Sequence, residues 1–302
     1  MKNKLLVTGS GGFLAGSVMY HAEETWELHG IDKIDTPGKQ NKFNCYSFDL
    51  RDSKQMKKIF YQIQPDAVIH TAAIADIDYC QSNQNLAFEV NVGVTQSLVD
   101  LCIESGAKMV FCSSDTVFDG KKGFYKEDDL PDPLNYYAET KVQAENIIRE
   151  RVENYVITRM SLIMGLPIMG EGNSFLARTI LKLKNREKVG FPENEIRSPI
   201  DVITLGRALV ELAGNSFHGI IHLSGMDRLN RYEMAKRIVT RLGYSADLIV
   251  ATDSNAIPDR ARRPDDVSLN NTKAQQILST PMCTLMKGLE MIMQLNKENT
   301  DR

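Results

Sequence analysis

The sequence predicts an α/β protein: a parallel β-sheet with helices on both faces, followed by a smaller lobe. Three observations carry this. Short, continuously apolar runs alternate with helical segments through the first half of the 302 residues, as strands buried on both faces require. Glycines end the first of these runs and lead straight into a helix. After about residue 165 the alternation loosens, and glycine and proline punctuate the chain.

The elements read in order. "KLLVTG" is a buried strand and "FLAGSVMYHA" a helix. "WELHGID" is a second strand and "YSFDL" a third. "DSKQMKKIFYQI" is an amphipathic helix opened by an Asp or Ser cap. "DAVIHTAA" is a strand, "QNLAFEVNVGVTQSLVDLCIES" a long helix and "KMVFCSS" a strand. "PLNYYAETKVQAENIIRERV" is a helix and "NYVITRMS" a strand. Then "MGLPIMGEGN" reads as a loop, "SFLARTILKLKNRE" as a helix and "SPIDVITLGRALVELAG" as a turn and helix. "GIIHLSG" is a strand, "NRYEMAKRIVTRLG" a helix, and "NTKAQQIL" begins a last helical region. The polar tail "NKENTDR" is expected to fray. The domain boundary is expected near residue 165: a dinucleotide-binding domain over 1–165 and a substrate-binding lobe over 166–302, with about 198–215 returning to the main domain.

Composition narrows the function. Hydrophobic residues are 42% and charged residues 25%, as in an ordinary globular protein. The net charge is -3 and no half is strongly basic, which argues against a nucleic-acid surface. The five cysteines are scattered, with no C-x-x-C pair. That argues against a disulfide framework or a structural zinc and fits a reducing compartment. The N-terminus runs into a strand and glycines rather than a signal peptide. No window approaches 18 uninterrupted apolar residues. A cytoplasmic protein is expected.

"LLVTGSGGFLAG" places Gly9, Gly12 and Ala15 at the spacing G-x-x-G-x-x-A, after a strand and opening a helix. Such glycines allow a tight turn and a close backbone approach to a pyrophosphate, and the helix N-terminus adds free N–H groups. The fold expected is therefore a Rossmann-type doubly wound sheet binding NAD(H) or NADP(H). Phe13 and Leu14 follow the turn. Asp32 ends the second strand, where an acid accepts from the adenosine ribose 2′-OH and favours NAD(H). Lys33 follows it and would soften that preference. Asp49, with Leu50 beside it, is placed to accept from the adenine amino group.

"VFCSSDTVFDG" leaves a buried strand with Ser113, Ser114 and Asp115, and "YYAETK" carries Tyr137 and Lys141 on the next helix. Positions i and i+4 share a helix face. Such a pair is either a working acid or an ordinary exposed Tyr and Lys. A free Tyr has a pKa of about 10, and a nearby ammonium lowers it. His70 sits in a buried strand and is read as packing or a cofactor contact. The other histidines show no ligand spacing, and the 13 methionines are read as packing.

"TGSGGFLA", "VIHTAA", "EVN", "SSDTVFDG", "PLNYYAETK" and "RPDDVSLNNTK" occur in that order. Together they resemble an extended short-chain dehydrogenase/reductase. The branch they resemble is that of the dTDP-4-dehydrorhamnose reductases, which act in dTDP-rhamnose biosynthesis, and their nucleotide-sugar relatives. The resemblance implies that Ser114 bonds the substrate carbonyl and Tyr137 donates the proton. It implies that Lys141 holds the nicotinamide ribose and lowers the tyrosine pKa. It places Ala72 and Ala73 against the cofactor and Asn91 behind the site. Ala15 stands where many members have Gly, Ser114 where Thr is more usual, and Thr116 where this branch usually has Tyr. The last change would reshape the sugar pocket. Asp115, Arg197 and Arg263 are the substrate-binding candidates, the two arginines of the lobe because their planar forks suit a diphosphate.

The expected activity is NAD(P)H-dependent reduction of a 4-keto group on a nucleotide-diphosphate deoxysugar. Two alternatives stay open. One is a nucleotide-sugar epimerase with tightly held NAD. The other is a non-catalytic subunit resembling the beta subunit of methionine adenosyltransferase. A dehydratase is disfavoured because Asp115 is followed by Thr116 rather than Glu. The expected partner is a nucleotide sugar, with no nucleic acid and no membrane. A homodimer stays open, and no cluster of acids carries over the metal with which some relatives dimerise.

Overall fold

The computed structural model describes residues 2–33, 43–169, 174–256 and 258–300, with side chains through Glu298. The last four residues of the loop "MGLPIMGEGN", 170–173, lie outside the described residues, as do the final two residues of the tail.

The first half alternates strand and helix. β1 (Lys4–Thr8), α1 (Phe13–Ala22), β2 (Glu27–Asp32), β3 (Asn44–Ser47), α2 (Ser53–Ile63) and β4 (Ala67–His70) come first. Then follow α3 (Ile77–Ser82), α4 (Gln84–Phe88), a π-helical turn (Glu89–Gly93), α5 (Val94–Ser105) and β5 (Lys108–Ser114). α6 (Tyr136–Arg151) and β6 (Tyr155–Met160) close this half. The second half holds β7 (Ile163–Met164), α7 (Phe175–Lys184), β8 (Val189–Pro192), β9 (Ile196–Arg197) and β10 (Ile200–Asp201). It continues with α8 (Val202–Gly214), β11 (Gly219–Leu223), β12 (Leu229–Asn230), α9 (Arg231–Arg241), β13 (Ile249–Thr252), α10 (Thr272–Ile277) and α11 (Leu285–Thr300).

Seven strands form one sheet in the order β11-β6-β5-β4-β1-β2-β3, and every pairing is parallel. The order reverses between β1 and β4, which opens a crevice at their carboxyl ends. One apolar core lies under α1 and α8 and includes Val7, Val18, Leu205 and Leu209. The other lies under α2, α5 and α6 and includes Leu6, Ile59, Leu98 and Ile148. Both faces of the strands are thereby covered, which is why their sequences are unbroken apolar runs.

The second half both leaves the sheet and returns to it. α8 packs on α1, where Gly206 faces Ser17 with no room for a side chain. β11 joins the sheet beside β6. Between these, α7, α9, β8 and β13 enclose a small core of their own, with Leu183, Phe191, Val239 and Ile249.

Three elements differ from the sequence reading. The third strand is Asn44–Ser47, earlier than "YSFDL". Its pairing with β2 ends at Asp32 opposite Ser47, after which the Asp49 side chain accepts from Arg51 N at 3.0 Å and turns the chain. The tail is helical through Thr300 rather than frayed over its whole length. Leu285, Leu289 and Ile292 share one face of α11 and are buried in the main core, which holds the helix down. Helix α3 and the short strands of the second half have no counterpart in the sequence reading, because their apolar patterns are too short to show a period.

Among the described residues, the run Gln84–Ser105 is long and apolar enough by length and composition to cross a membrane. Half of its most apolar stretch is buried inside this fold, against α6 and the sheet, as a core helix is.

Candidate active site

The glycine turn is built by hydrogen bonds back to β2. Gly9 N and Ser10 N donate to Ile31 O at 2.7 and 3.1 Å, and Gly12 N donates to Gly9 O at 2.8 Å. Gly9 has φ +69°, and a Cβ there would stand 2.9 Å from the Ala72 Cα. Only glycine suits that backbone and that approach. Asp32 accepts from Gly11 N at 2.7 Å, so the acid at the end of β2 also braces the turn. A cleft of about 350 Å³ opens beside it. Its walls include Gly9, Gly12, Phe13, Leu14, Asp32 and Lys33. Asp49, Leu50, Ala72 and Ala73 also line it. These residues come from the ends of four strands; of the other sequence-predicted cofactor residues, Asn91, Tyr137 and Lys141 are not among its walls. The cradle left by Gly9 and Gly12 and the size of the cleft fit a dinucleotide.

Asp49 lines the cleft, but its carboxylate is already engaged. Arg51 Nη2 reaches it at 2.7 Å and Lys33 Nζ at 3.2 Å. The Arg51 bonds hold its carboxyl well below the usual carboxylate range. The sequence reading had Asp49 accepting from adenine and overlooked Arg51. The signal was present in "DLRD": an arginine two residues after an acid can fold back on it.

Asn91 sits in the π-helical turn and is 1% exposed. Its Oδ1 accepts from Ile74 N at 2.8 Å, and its Nδ2 donates to Ile74 O at 3.1 Å and Thr140 Oγ1 at 3.0 Å. It therefore ties the wall of the cleft, Ala72 to Ile74, to the helix that carries Lys141. π turns are often found at functional sites because they re-aim a side chain out of the helical period.

Ser114 ends β5, and Tyr137 and Lys141 lie on the first turns of α6. Asn135 caps that helix through Ala138 N at 3.0 Å and is itself anchored to Arg262 O at 3.0 Å. Ser114 Oγ is 2.9 Å from Thr116 Oγ1 and donates to Asp115 at 3.3 Å. Lys141 is 3% exposed, and its Nζ donates to Cys112 O at 2.9 Å. The same ammonium stands 5.8 Å from the Tyr137 ring centroid.

The electrostatics depart from the expected tuning. Burial pushes the Tyr137 phenol above its ordinary value, with the Ser114 hydroxyl pulling the other way and the Asp115 carboxylate adding to the rise. Lys141 is brought down to about 8 by burial. With its Nζ turned to the Cys112 carbonyl, Lys141 does not offset the cost of burying a phenolate. This form of the site holds a protonated tyrosine, ready to donate rather than accept.

His70 is a packing residue. Its ring bonds Thr8 Oγ1 at 2.7 Å and Thr95 Oγ1 at 3.0 Å, and burial holds it down at about 3. Its backbone strand ends at the cleft, but its ring nitrogens are both used.

The substrate-lobe arginines are committed inside the protein. Arg263 Nη2 and Nη1 clasp the Asp78 carboxylate at 2.7 and 2.5 Å. In this form the fork expected to grip a diphosphate is closed on a carboxylate, because the bidentate pair uses the fork's own geometry. Arg197 donates to the carbonyls of Ile196, Asp265 and Pro264 at 2.7, 3.0 and 3.2 Å. It lies 3.9 Å from Asp115. Arg197 thus shapes the segment "RPDD" in this form instead of presenting itself to solvent. Asp115 is 4% exposed, accepts from Ser161 at 3.1 Å, and has its carboxyl raised by burial.

The beta subunit of methionine adenosyltransferase 2 from Bos taurus is 27% identical over 282 residues, covering 91% of this chain and 82% of that protein. The dTDP-4-dehydrorhamnose reductase of Aggregatibacter actinomycetemcomitans is 26% identical over 304 residues, covering 96% and 98%. The crystal structure of a hypothetical dTDP-4-dehydrorhamnose reductase from Sulfolobus tokodaii superposes with a TM-score of 0.83 at 29% identity, covering 94% of this chain and 98% of that one. The sequence model of the RmlD substrate binding domain family matches residues 3–297. With the match running across both the cofactor cleft and the second half of the chain, the protein belongs to the RmlD substrate binding domain family, within the extended short-chain dehydrogenase/reductases.

Proposed function

We propose that the protein is an NAD(P)H-dependent reductase of a 4-keto group on a nucleotide-diphosphate deoxysugar. One observation carries the reading: Ser114, Tyr137 and Lys141 meet at the carboxyl edge of the sheet, and Asn91 fastens Thr140, beside Lys141, to the wall of the dinucleotide cleft. A reduced nicotinamide, if bound in that cleft, would supply the hydride for the carbonyl carbon. The chain's own residues act on the oxygen. Ser114 donates a hydrogen bond to it, and Tyr137 delivers the proton that the developing alkoxide needs. Lys141 holds the ribose and supplies positive charge beside the phenol once its ammonium leaves the Cys112 carbonyl. Asp32, which ends β2, supports a preference for NADH over NADPH.

The division of labour follows the chain. Residues 1–165 carry the cofactor cleft and the acid, and 166–302 the sugar-facing lobe, with 198–215 returning to the main domain and β11 beside it. Arg197 and Asp115 face the junction of the two parts. A second reading is supported by the likeness to the methionine adenosyltransferase subunit: the cleft would then serve assembly rather than turnover.

The experiment is direct. Purified protein is mixed with NADH or NADPH and a 4-keto-6-deoxysugar nucleotide, and absorbance of the reduced cofactor is followed. Stoichiometric consumption supports the reductase. Product without net consumption means an epimerase. Cofactor binding with neither outcome means a regulatory subunit.

A further inference from the structure

The adenosine end of the cleft holds more charge than a ribose acid needs. Asp32, Lys33 and Asp49 all line it. Asp49 takes Arg51 through Nη2 at 2.7 Å and through Nε at 3.1 and 3.2 Å. It takes Lys33 at 3.2 Å. Arg51 reaches on to Glu89 at 3.0 Å. One carboxylate thus occupies two cations of this end of the cleft, Lys33 and Arg51. Among the described residues, Asp32, Lys33 and Asp49 line this end, and Arg51 and Glu89 join them through the Asp49–Arg51 pair.

We propose that Asp49 is a specificity-determining residue for the cofactor: it acts as an internal anion that occupies Lys33 and Arg51, the two cations a 2′-phosphate would require, and so reserves the cleft for NADH. The inference rests on the dinucleotide reading of the cleft. A dianionic 2′-phosphate meets Asp32, Asp49 and Glu89 as like charges, which is repulsive. It also finds the Arg51 fork, its best partner, already closed on carboxylates. A 2′-hydroxyl needs neither cation and only an acceptor such as Asp32. The low carboxyl of Asp49 keeps this anion charged across the neutral range.

The test uses the full chain and two variants. Asp49→Asn keeps the side-chain shape and removes the charge, and its half-exposed position leaves packing intact. NADH, NADPH, 5′-AMP and 2′,5′-ADP are titrated by calorimetry. The affinity ratio of NADPH to NADH should rise by about two- to fivefold in Asp49→Asn, the size of one released surface ion pair. The ratio of 2′,5′-ADP to 5′-AMP should rise with it. Arg51→Ala placed on Asp49→Asn should remove the gain, and added salt should shrink it. An unchanged ratio in Asp49→Asn, or an unmutated protein that already prefers NADPH, overturns the proposal. If no dinucleotide binds the unmutated chain, the reading of the cleft falls, and this inference with it.

Discussion

Tyr137 and Lys141 stand one helical turn apart on α6, and their protonation decides what they can do. Tyr137 is held above its ordinary value by burial, so it stays protonated at neutral pH. Tyr137→Phe removes that proton but keeps the ring. Turnover should fall by about 10²–10⁴-fold, the usual worth of a general acid, while NADH still binds. Steady-state kinetics with a parallel NADH titration check this. Lys141 gives a second, pH-based expectation. Its folded value is about 8, against 10.5 for a free lysine. Below about 8 both states hold the proton, and the cost of burying the charge is fully present. Between about 8 and 10.5 the folded state has released the proton and the unfolded state has not, so stability rises with pH. Lys141→Met lacks that step. The urea midpoint of the unmutated protein should therefore gain on that of Lys141→Met as pH rises through this window. A constant gap would mean that the lysine is not desolvated as the geometry implies.

At the scale of the element, the helix after β4 is the piece that couples cofactor wall to catalytic helix. It is continuous in sequence from Gln84 to Ser105, yet its ladder shifts to π spacing over Glu89–Gly93. The shift turns Asn91 inward to clasp Ile74. Asn91→Ala leaves the half-buried Ile74 N–H without its partner and Ile74 O with only the Cys80 thiol as donor. That should cost about 1–3 kcal/mol of stability, and it should weaken NADH binding because the Ala72–Ile74 wall is no longer held. Chemical denaturation and a binding titration read the two effects separately. Asn91→Ser, which restores one bond, should recover part of each.

Across the whole molecule, the two halves are joined by ion pairs from distant parts of the chain. Asp78 of α3 holds Arg263, and the Ala261 N–H donates to the same carboxylate at 2.9 Å. Arg197 gathers the carbonyls of Pro264 and Asp265 from the other side. The segment "RPDD" is thus pinned between the first domain and the lobe. Arg263→Ala should cost only about 1 kcal/mol in global stability, because Asp78 is half-exposed. Hydrogen exchange over residues 260–266 should rise well beyond that, because the segment loses its anchor. If Arg263 also swings to a substrate diphosphate, the Michaelis constant for a nucleotide sugar rises as well. An unaltered constant leaves it as a structural clamp.

The sequence by itself determined the parallel sheet and the glycine turn, while the family resemblance picked out Ser114, Tyr137 and Lys141 as a set. These are local facts: unbroken apolar runs, a strand–glycine–helix junction, and an i, i+4 spacing each show within a few residues. Asp32 and the cap residues were legible for the same reason. The tertiary structure alone decided how these groups are employed. Arg263 and Arg197 look like open phosphate ligands until the chain folds back and brings Asp78 and the "RPDD" carbonyls to them. Asp49 looks like an adenine acceptor until Arg51 and Lys33 close on it. Lys141 looks like a tuner of Tyr137 until the Cys112 carbonyl claims its ammonium. In each case the residue's chemistry is written in the chain, but its partner comes from another strand or helix. Burial, which sets the protonation of Tyr137 and Lys141, exists only once the sheet and its helices have closed around them.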